Sequence, residues 1–439
     1  MLDPFSTYRI QFHAGFTFKD FDLIIPYLDK LGINTVYASP ILEASPGSMH
    51  GYDTVNPHRI NPEIGTIEEL RIISKKLTNL GISWIQDIVP NHMAFHPNNI
   101  WLMDVLEKGQ ESVYAEFFDI NWSGDKKTPL MVPFLGSTVA EAVTKGELKL
   151  VSANGKIKLK YFETEWPLND QVMNVNMPVE EAIALQYYRP CHWKETNERI
   201  NYRRFFTVNS LICLNIQKGE VFTVYHQLIK ILLEENVFQG LRVDHIDGLY
   251  DPETYLDRLR NLAGDETYII VEKILEKEEE IPVGWPIQGN TGYDFLAQAN
   301  NLFTDKTAQK DFTRYYEEII GDKTSISTQI AEKKASILSG YMAGELDNLC
   351  ELFTSLHLTD QEKLYALKPG VLKEAIGQML ICCPVYRFYG EQLPLSGDDH
   401  KGIKALLKEV AEIKPLGEAA AILHQVLLDN PKLGMKIIT

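Results

Sequence analysis

The chain has 439 residues, 45% of them hydrophobic and 23% charged, a balance that suits either one large α/β barrel with insertions or a few smaller domains. A formal net charge of −17 argues against nucleic acid as a partner, because binding it needs clustered Lys and Arg to displace counterions, and a neutral, hydroxyl-rich ligand fits better. No apolar run is long enough to cross a bilayer and the opening Met1 to Tyr8 has no basic segment leading into an apolar one, so no membrane contact is expected and the chain reads as cytoplasmic.

Thr7 to Phe12 is the first expected strand, followed by a helix over Asp20 to Leu31 that Gly32 closes, and by a strand over Asn34 to Ser39. The unit repeats with a helix over Ile67 to Leu80, ended by Gly81, and an apolar strand over Ser83 to Val89 that Pro90 stops. From about Met93 to Phe238 the period is irregular and aromatic-rich, which reads as a long excursion that lines a cleft. Gly240 to Asp244 then reads as a strand, Pro252 to Leu262 as a helix and Tyr268 to Glu272 as the next strand. Beyond about Asn300 the strand signals give way to amphipathic helical spacing that runs to about Leu428. Cys191, Cys213, Cys350, Cys382 and Cys383 form no CxxC pair, so they read as reduced thiols rather than a disulfide or zinc frame.

Three carboxylates stand at the carboxyl ends of expected strands: Asp87 in DIVPNH, Asp244 in GLRVDHIDG and Glu272 in IIVEKIL. In a βα barrel the strands' carboxyl ends share one face, so such acids converge on a single pocket. Asp244 and Glu272 lie 28 residues apart, about one strand-helix-strand repeat, which puts them on neighbouring strands and within the roughly 5 Å of retaining glycoside chemistry. A single strand-end acid is as readily a helix cap or a loop ion pair; three in one frame favour a site. Arg242, two residues before Asp244 and on the same strand face, is expected to pair with that carboxylate and keep it ionised. His92 offers a hydrogen-bond donor to a sugar hydroxyl. The aromatic clusters Tyr187, Tyr188, Trp193 and Tyr202, Phe205, Phe206 are expected to be core for the most part.

With these residues in view, DIVPNH, GLRVDH and VEKIL resemble the first three signature regions of the α-amylase superfamily. TYRIQF at 7–12, SPGSMHGYD at 45–53, NYRRFFTVNSL at 201–211, DGLYDP at 247–252 and GWPIQGNTGYDFL at 284–296 narrow the resemblance to the maltooligosyltrehalose synthase family, over about Thr7 to Phe295. The resemblance implies a retaining transfer within a maltooligosaccharide in trehalose formation, with Asp244 as nucleophile, Glu272 as general acid/base and Arg242 orienting Asp244. It also implies that Asp87 and His92 line the pocket of the reacting glucose, that Tyr52 stacks on that ring with His50 and Asp53 in support, and that His245 binds the neighbouring sugar. Ile246 departs from the family, which usually has Pro there.

A second departure is an absence: the superfamily's fourth region supplies an Asp after a His, and none of the 11 histidines here precedes an Asp. In the family that region lies farther downstream. The expectation is therefore a (β/α)8 barrel of TIM type, incomplete at its C-terminal end. Barrel parts fall at 1–92 and 239–299, an inserted subdomain at 93–238 and a helical subdomain at 300–439. A second polypeptide supplying the missing strands is the partner such an opening suggests. An ordinary α-glucan hydrolase would use the same carboxylates, and a chain without the third acid could bind glucan without turning it over. A calcium reading of Asn91 would need several further oxygen donors, so no metal and no other cofactor is expected.

Overall fold

The structure, a computed structural model, describes residues 2–122, 128–153, 155–276, 279–390 and 392–429; the corresponding gaps in the four expected domains lie outside the described residues. Two compact units form, one from Met1–Thr196, Ile200–Lys273 and Pro282–Thr291, the other from Asn197–Arg199, Ile274–Ile281 and Gly292–Thr439.

The first unit is built on a six-stranded, all-parallel sheet of β1 (Thr7–Ile10), β2 (Thr35–Ala38), β3 (Ser83–Ile88), β4 (Gly240–Val243), β5 (Tyr268–Val271) and β6 (Gly289–Asn290), in that spatial order. Helix α1 (Phe18–Leu31) joins β1 to β2 and α2 (Ile67–Asn79) leads into β3, while α3 (Pro252–Ala263) joins β4 to β5. Strand order follows chain order, as an opened TIM-type barrel requires, and helices lie in the crossovers as far as β5, whereas the described residues between Val271 and Gly289 form none. The helix expected from Asp20 starts at Phe18 because the Asp20 carboxylate reaches back to the Thr17 N–H at 2.8 Å. At its other end Gly32 takes φ 79°, the left-handed conformation that closes a helix at little cost for glycine. Phe18 and Phe21 of α1 pack on Phe12, which follows β1, and Phe12 and Phe21 pack on Trp84 of β3, edge to face and stacked at 4.9 to 6.2 Å.

Between β3 and β4 the chain holds more strand than its irregular period suggests. Leu148–Ala153, Lys156–Tyr161 and Thr164–Pro167 form an antiparallel sheet, and Leu130–Leu135 pairs in parallel with Tyr188–His192. The alternation in Lys-Ile-Lys-Leu-Lys-Tyr was the available signal: Leu159 is buried, Lys156 is exposed, and the half-buried Lys158 and Lys160 pair with Glu165 and Glu163. The aromatic expectation is corrected as well, since only Tyr188 and Tyr202 are buried, while Tyr187, Trp193 and Phe206 are exposed. Their positions follow strand ends and turns rather than one apolar face, so aromatic identity alone did not predict burial.

The described residues of the second unit from Tyr293 to Asp429 are mostly helical. Its core gathers Val371, Ala375 and Ile376 of one helix, Ile403, Leu407 and Val410 of a second, and Ala419, Ala420 and Leu423 of a third. Among the described residues no helix is long and apolar enough to cross a membrane.

Candidate active site

The parallel register fixes the site. Arg242 lies opposite Asp87 across β3 and β4, and Val243 lies opposite Val271 across β4 and β5. Asp244 and Glu272 are the residues just after that last pair, so both emerge side by side from strands roughly 4.8 Å apart. Each strand stops one residue earlier than its sequence suggests, leaving the two acids in the connecting segments. Their backbones stay in the ladder pattern, with Asp244 N–H donating to Ile88 O at 2.9 Å and Glu272 N–H to Val243 O at 2.8 Å.

One guanidinium serves three carboxylates. Arg242 Nη1 donates to Asp244 Oδ1 at 2.7 Å and to both Asp87 oxygens at 3.0 Å, and Nη2 lies 3.1 Å from Glu272 Oε1. Asp87 is fully buried and also accepts from Tyr52 Oη at 2.6 Å and Tyr37 Oη at 2.8 Å. Arg242 pairs with Asp244 as expected and its charge favours the ionised carboxylate, but it is outweighed. Burial first, and then the Asp87 charge, push the Asp244 carboxyl up to about 7, with Arg242 opposing and Glu272 adding to the rise. Arg242 is shared by the buried Asp87 and Asp244 and by the half-buried Glu272, so its single charge does not offset burial at Asp244.

The two histidines stay neutral. Asn91 Nδ2 donates to His92 Nδ1 at 3.2 Å, which leaves the ring proton on Nε2, and that proton goes to the Tyr52 carbonyl at 3.1 Å. Burial pushes His92 down to about 3. Its Nε2 thus helps to orient Tyr52. His245 is lowered too, chiefly by burial. Its backbone takes φ 48°, a conformation costing about 1–3 kcal/mol for such a residue, and this aims its N–H at Glu272 Oε2 at 3.0 Å. His50 and Asp53 sit in the turn behind Tyr52: His50 Nδ1 accepts from Tyr52 N–H at 3.0 Å and Asp53 accepts from Ser48 Oγ at 2.5 Å.

Sequence reasoning missed several contributors. Tyr37 stands in a short strand whose flanking Val36 and Ala38 are buried, and a tyrosine hydroxyl in such surroundings needs a partner; that was a usable signal. Phe205 lies between the rings of His92 and His245, at centroid distances of 4.6 and 4.8 Å. Arg203 of the doubled arginine in NYRRFF binds Asp119 Oδ2 at 2.7 Å, the Gly248 carbonyl at 2.6 Å and Asn91 Oδ1 at 3.5 Å. The amide oxygen weighed as a cation ligand therefore faces a guanidinium.

The profile described as "Alpha amylase, catalytic domain" matches residues 23–376. The chain belongs to the α-amylase catalytic-domain family. Within that family it is 34% identical over 378 residues to a Mycobacterium tuberculosis (strain H37Rv) protein provisionally named a maltooligosyl trehalose synthase, covering 84% of this chain and 47% of that one. The solved structure of maltooligosyltrehalose synthase from Arthrobacter ramosus superposes with a TM-score of 0.83 at 32% identity, over 95% of this chain and 52% of that one. A second solved structure, "DSM5389 glycosyltrehalose synthase", gives 0.80 at 34% identity over 96% of this chain and 56% of that one. The chain thus spans about half the length of the relatives it matches. These matches establish a barrel of the α-amylase type, of which the six-stranded parallel sheet is the part present.

Proposed function

We propose that this chain carries the reacting carboxylate pair of an intramolecular glucosyl transfer, converting the reducing-end α-1,4 linkage of a maltooligosaccharide to α,α-1,1. The observation that supports this best is the single Arg242 guanidinium joined to both Asp244 and Glu272 at the ends of adjacent parallel strands. Such a bridge fits carboxyl groups at about the 5 Å separation of retaining glycosidases rather than the roughly 6.5–9.5 Å of inverting ones.

Glu272 gives its proton to the last glycosidic oxygen as Asp244 attacks the anomeric carbon, so the C–O bond breaks and a covalent glycosyl-enzyme forms. The released glucose stays, turns, and presents its own anomeric hydroxyl to the glycosyl-enzyme. Glu272 takes the hydroxyl proton, the new oxygen displaces Asp244, and the pair returns to its first state. Asp87 takes no part in bond making; with Tyr37 and Tyr52 it anchors Arg242. Excluding water during the turn of the glucose separates this outcome from hydrolysis. The names of the relatives support trehalose formation as the role.

Maltopentaose decides between the outcomes. Reducing ends fall if the proposal holds and rise if the chain is a hydrolase, and binding without either change would leave a glucan-binding chain. Glu272→Gln is expected to cost 10²-fold or more in turnover, roughly the lower bound for a lost general acid/base.

A further inference from the structure

A buried ion pair lies beside this site and takes no part in the chemistry just described. Lys273 directly follows Glu272, is 1% exposed, and sets its Nζ 3.2 and 3.4 Å from the two oxygens of Asp247, which is itself 8% exposed. Asp247 stands three residues after Asp244. The pair therefore links the segment after the nucleophile to the segment after the acid/base. Burying an ammonium and a carboxylate is seldom the most stabilising way to fill a core, and the better-attested reason to keep such a pair is that it specifies one arrangement over others.

Here one arrangement is at stake. His245 is held left-handed at φ 48°, and Gly248 packs so tightly beneath it that a Cβ would lie 2.1 Å from the imidazole Cδ2. Arg203 grips the Gly248 carbonyl at 2.6 Å from one side, and Lys273 grips the preceding Asp247 side chain from the other. Lys273 is in turn fixed by Asn290, whose side chain accepts from its N–H at 3.2 Å and donates to its carbonyl at 2.7 Å. We infer that Lys273, acting through Asp247, is a positioning residue that holds segment 244–248 and so keeps the His245 N–H directed at Glu272. The inference rests on the reading of Asp244 and Glu272 as the reacting pair.

The test compares the full chain with Lys273→Met, with the volume-conserving double variant Asp247→Leu/Lys273→Met, and with Glu272→Gln. Hydrogen exchange over residues 244–248 is expected to quicken roughly tenfold in Lys273→Met, a local opening outside the core strands. The double variant recovers thermal stability without the directed link. Its exchange stays raised, and its turnover of maltopentaose stays down about 10²-fold with KM within about twofold, as expected from a misplaced reacting group. Unchanged exchange in both variants would overturn the inference, as would a double variant that regains stability and turnover together. Glu272→Gln separates the two failures: it keeps an acceptor for the His245 N–H, so wild-type turnover in it defeats the functional reading while exchange still judges the Lys273 link. If Lys273→Met does not fold, the double variant carries the same comparison.

Discussion

Arg242 holds three carboxylates on one charge, and this makes it hard to replace. Lysine keeps the charge but presents a single ammonium in place of two nitrogens that reach separate acids. Arg242→Lys is therefore expected to lose about 10²-fold or more in turnover on maltopentaose while still folding; an unimpaired variant would show that the bridge does not position the acids. The sign of the Asp244 shift makes a second prediction. Its folded value, up to about 7, lies above the ordinary carboxylate range, so the folded state binds that proton more tightly than the unfolded chain does. The resulting loss of stability is absent below about pH 4, grows as pH rises, and is complete above about pH 7. Asp244→Asn removes it, so thermal melts should place this variant above wild type at pH 8 and converge with it near pH 4. Equal melting at both pH values would contradict the shift. Gly248→Ala puts a methyl group against the His245 ring and within 2.9 Å of Asn91 Oδ1, and is expected to destabilise by about 1–3 kcal/mol in a denaturant titration.

Elements were legible wherever one local signal decided them. The second helix begins at a capping box, with Glu69 N–H donating to Thr66 Oγ1 at 3.2 Å and Thr66 N–H to Glu69 Oε2 at 2.8 Å. Thr66→Ala should cost about 1 kcal/mol, read as a lower melting temperature with activity retained. The βα rhythm, the parallel sheet and the three strand-end acids could be read from apolar runs punctuated by Gly and Pro, because strand and helix ends obey local chemistry. What could not be read was set by contacts distant in sequence. His92 Nε2 meets the Tyr52 carbonyl, 40 residues away, and Asp87 answers to Tyr37 and Arg242 on two other strands. The charge state of Asp244 depends on how many carboxylates one guanidinium must serve, which no spacing within β4 contains. Of the strands between Leu130 and His192, the alternating run Lys156–Tyr161 offered a signal, whereas Leu130–Leu135 and Tyr188–His192 each contain a Pro, which argues locally against a strand, and pair with each other across more than 50 residues.

At the scale of the molecule, β1 and β6 are the outer strands of the described sheet, and all but the last residue of β1 are exposed. A closed barrel has no such edges, and an outer strand offers unpaired N–H and C=O groups to another chain. Light scattering on the isolated chain is expected to show association that grows with concentration; a monomer throughout would mean that the edges are screened. The same strand order bears on how the molecule is made. Every strand of the sheet is laid against the one synthesised before it, with no later strand inserted between earlier ones. As the chain leaves the ribosome, each new strand can dock on a sheet already in place. The reacting acids, carried by the fourth strand and the fifth, then come together only after Asp87 and Tyr37 are waiting to receive Arg242.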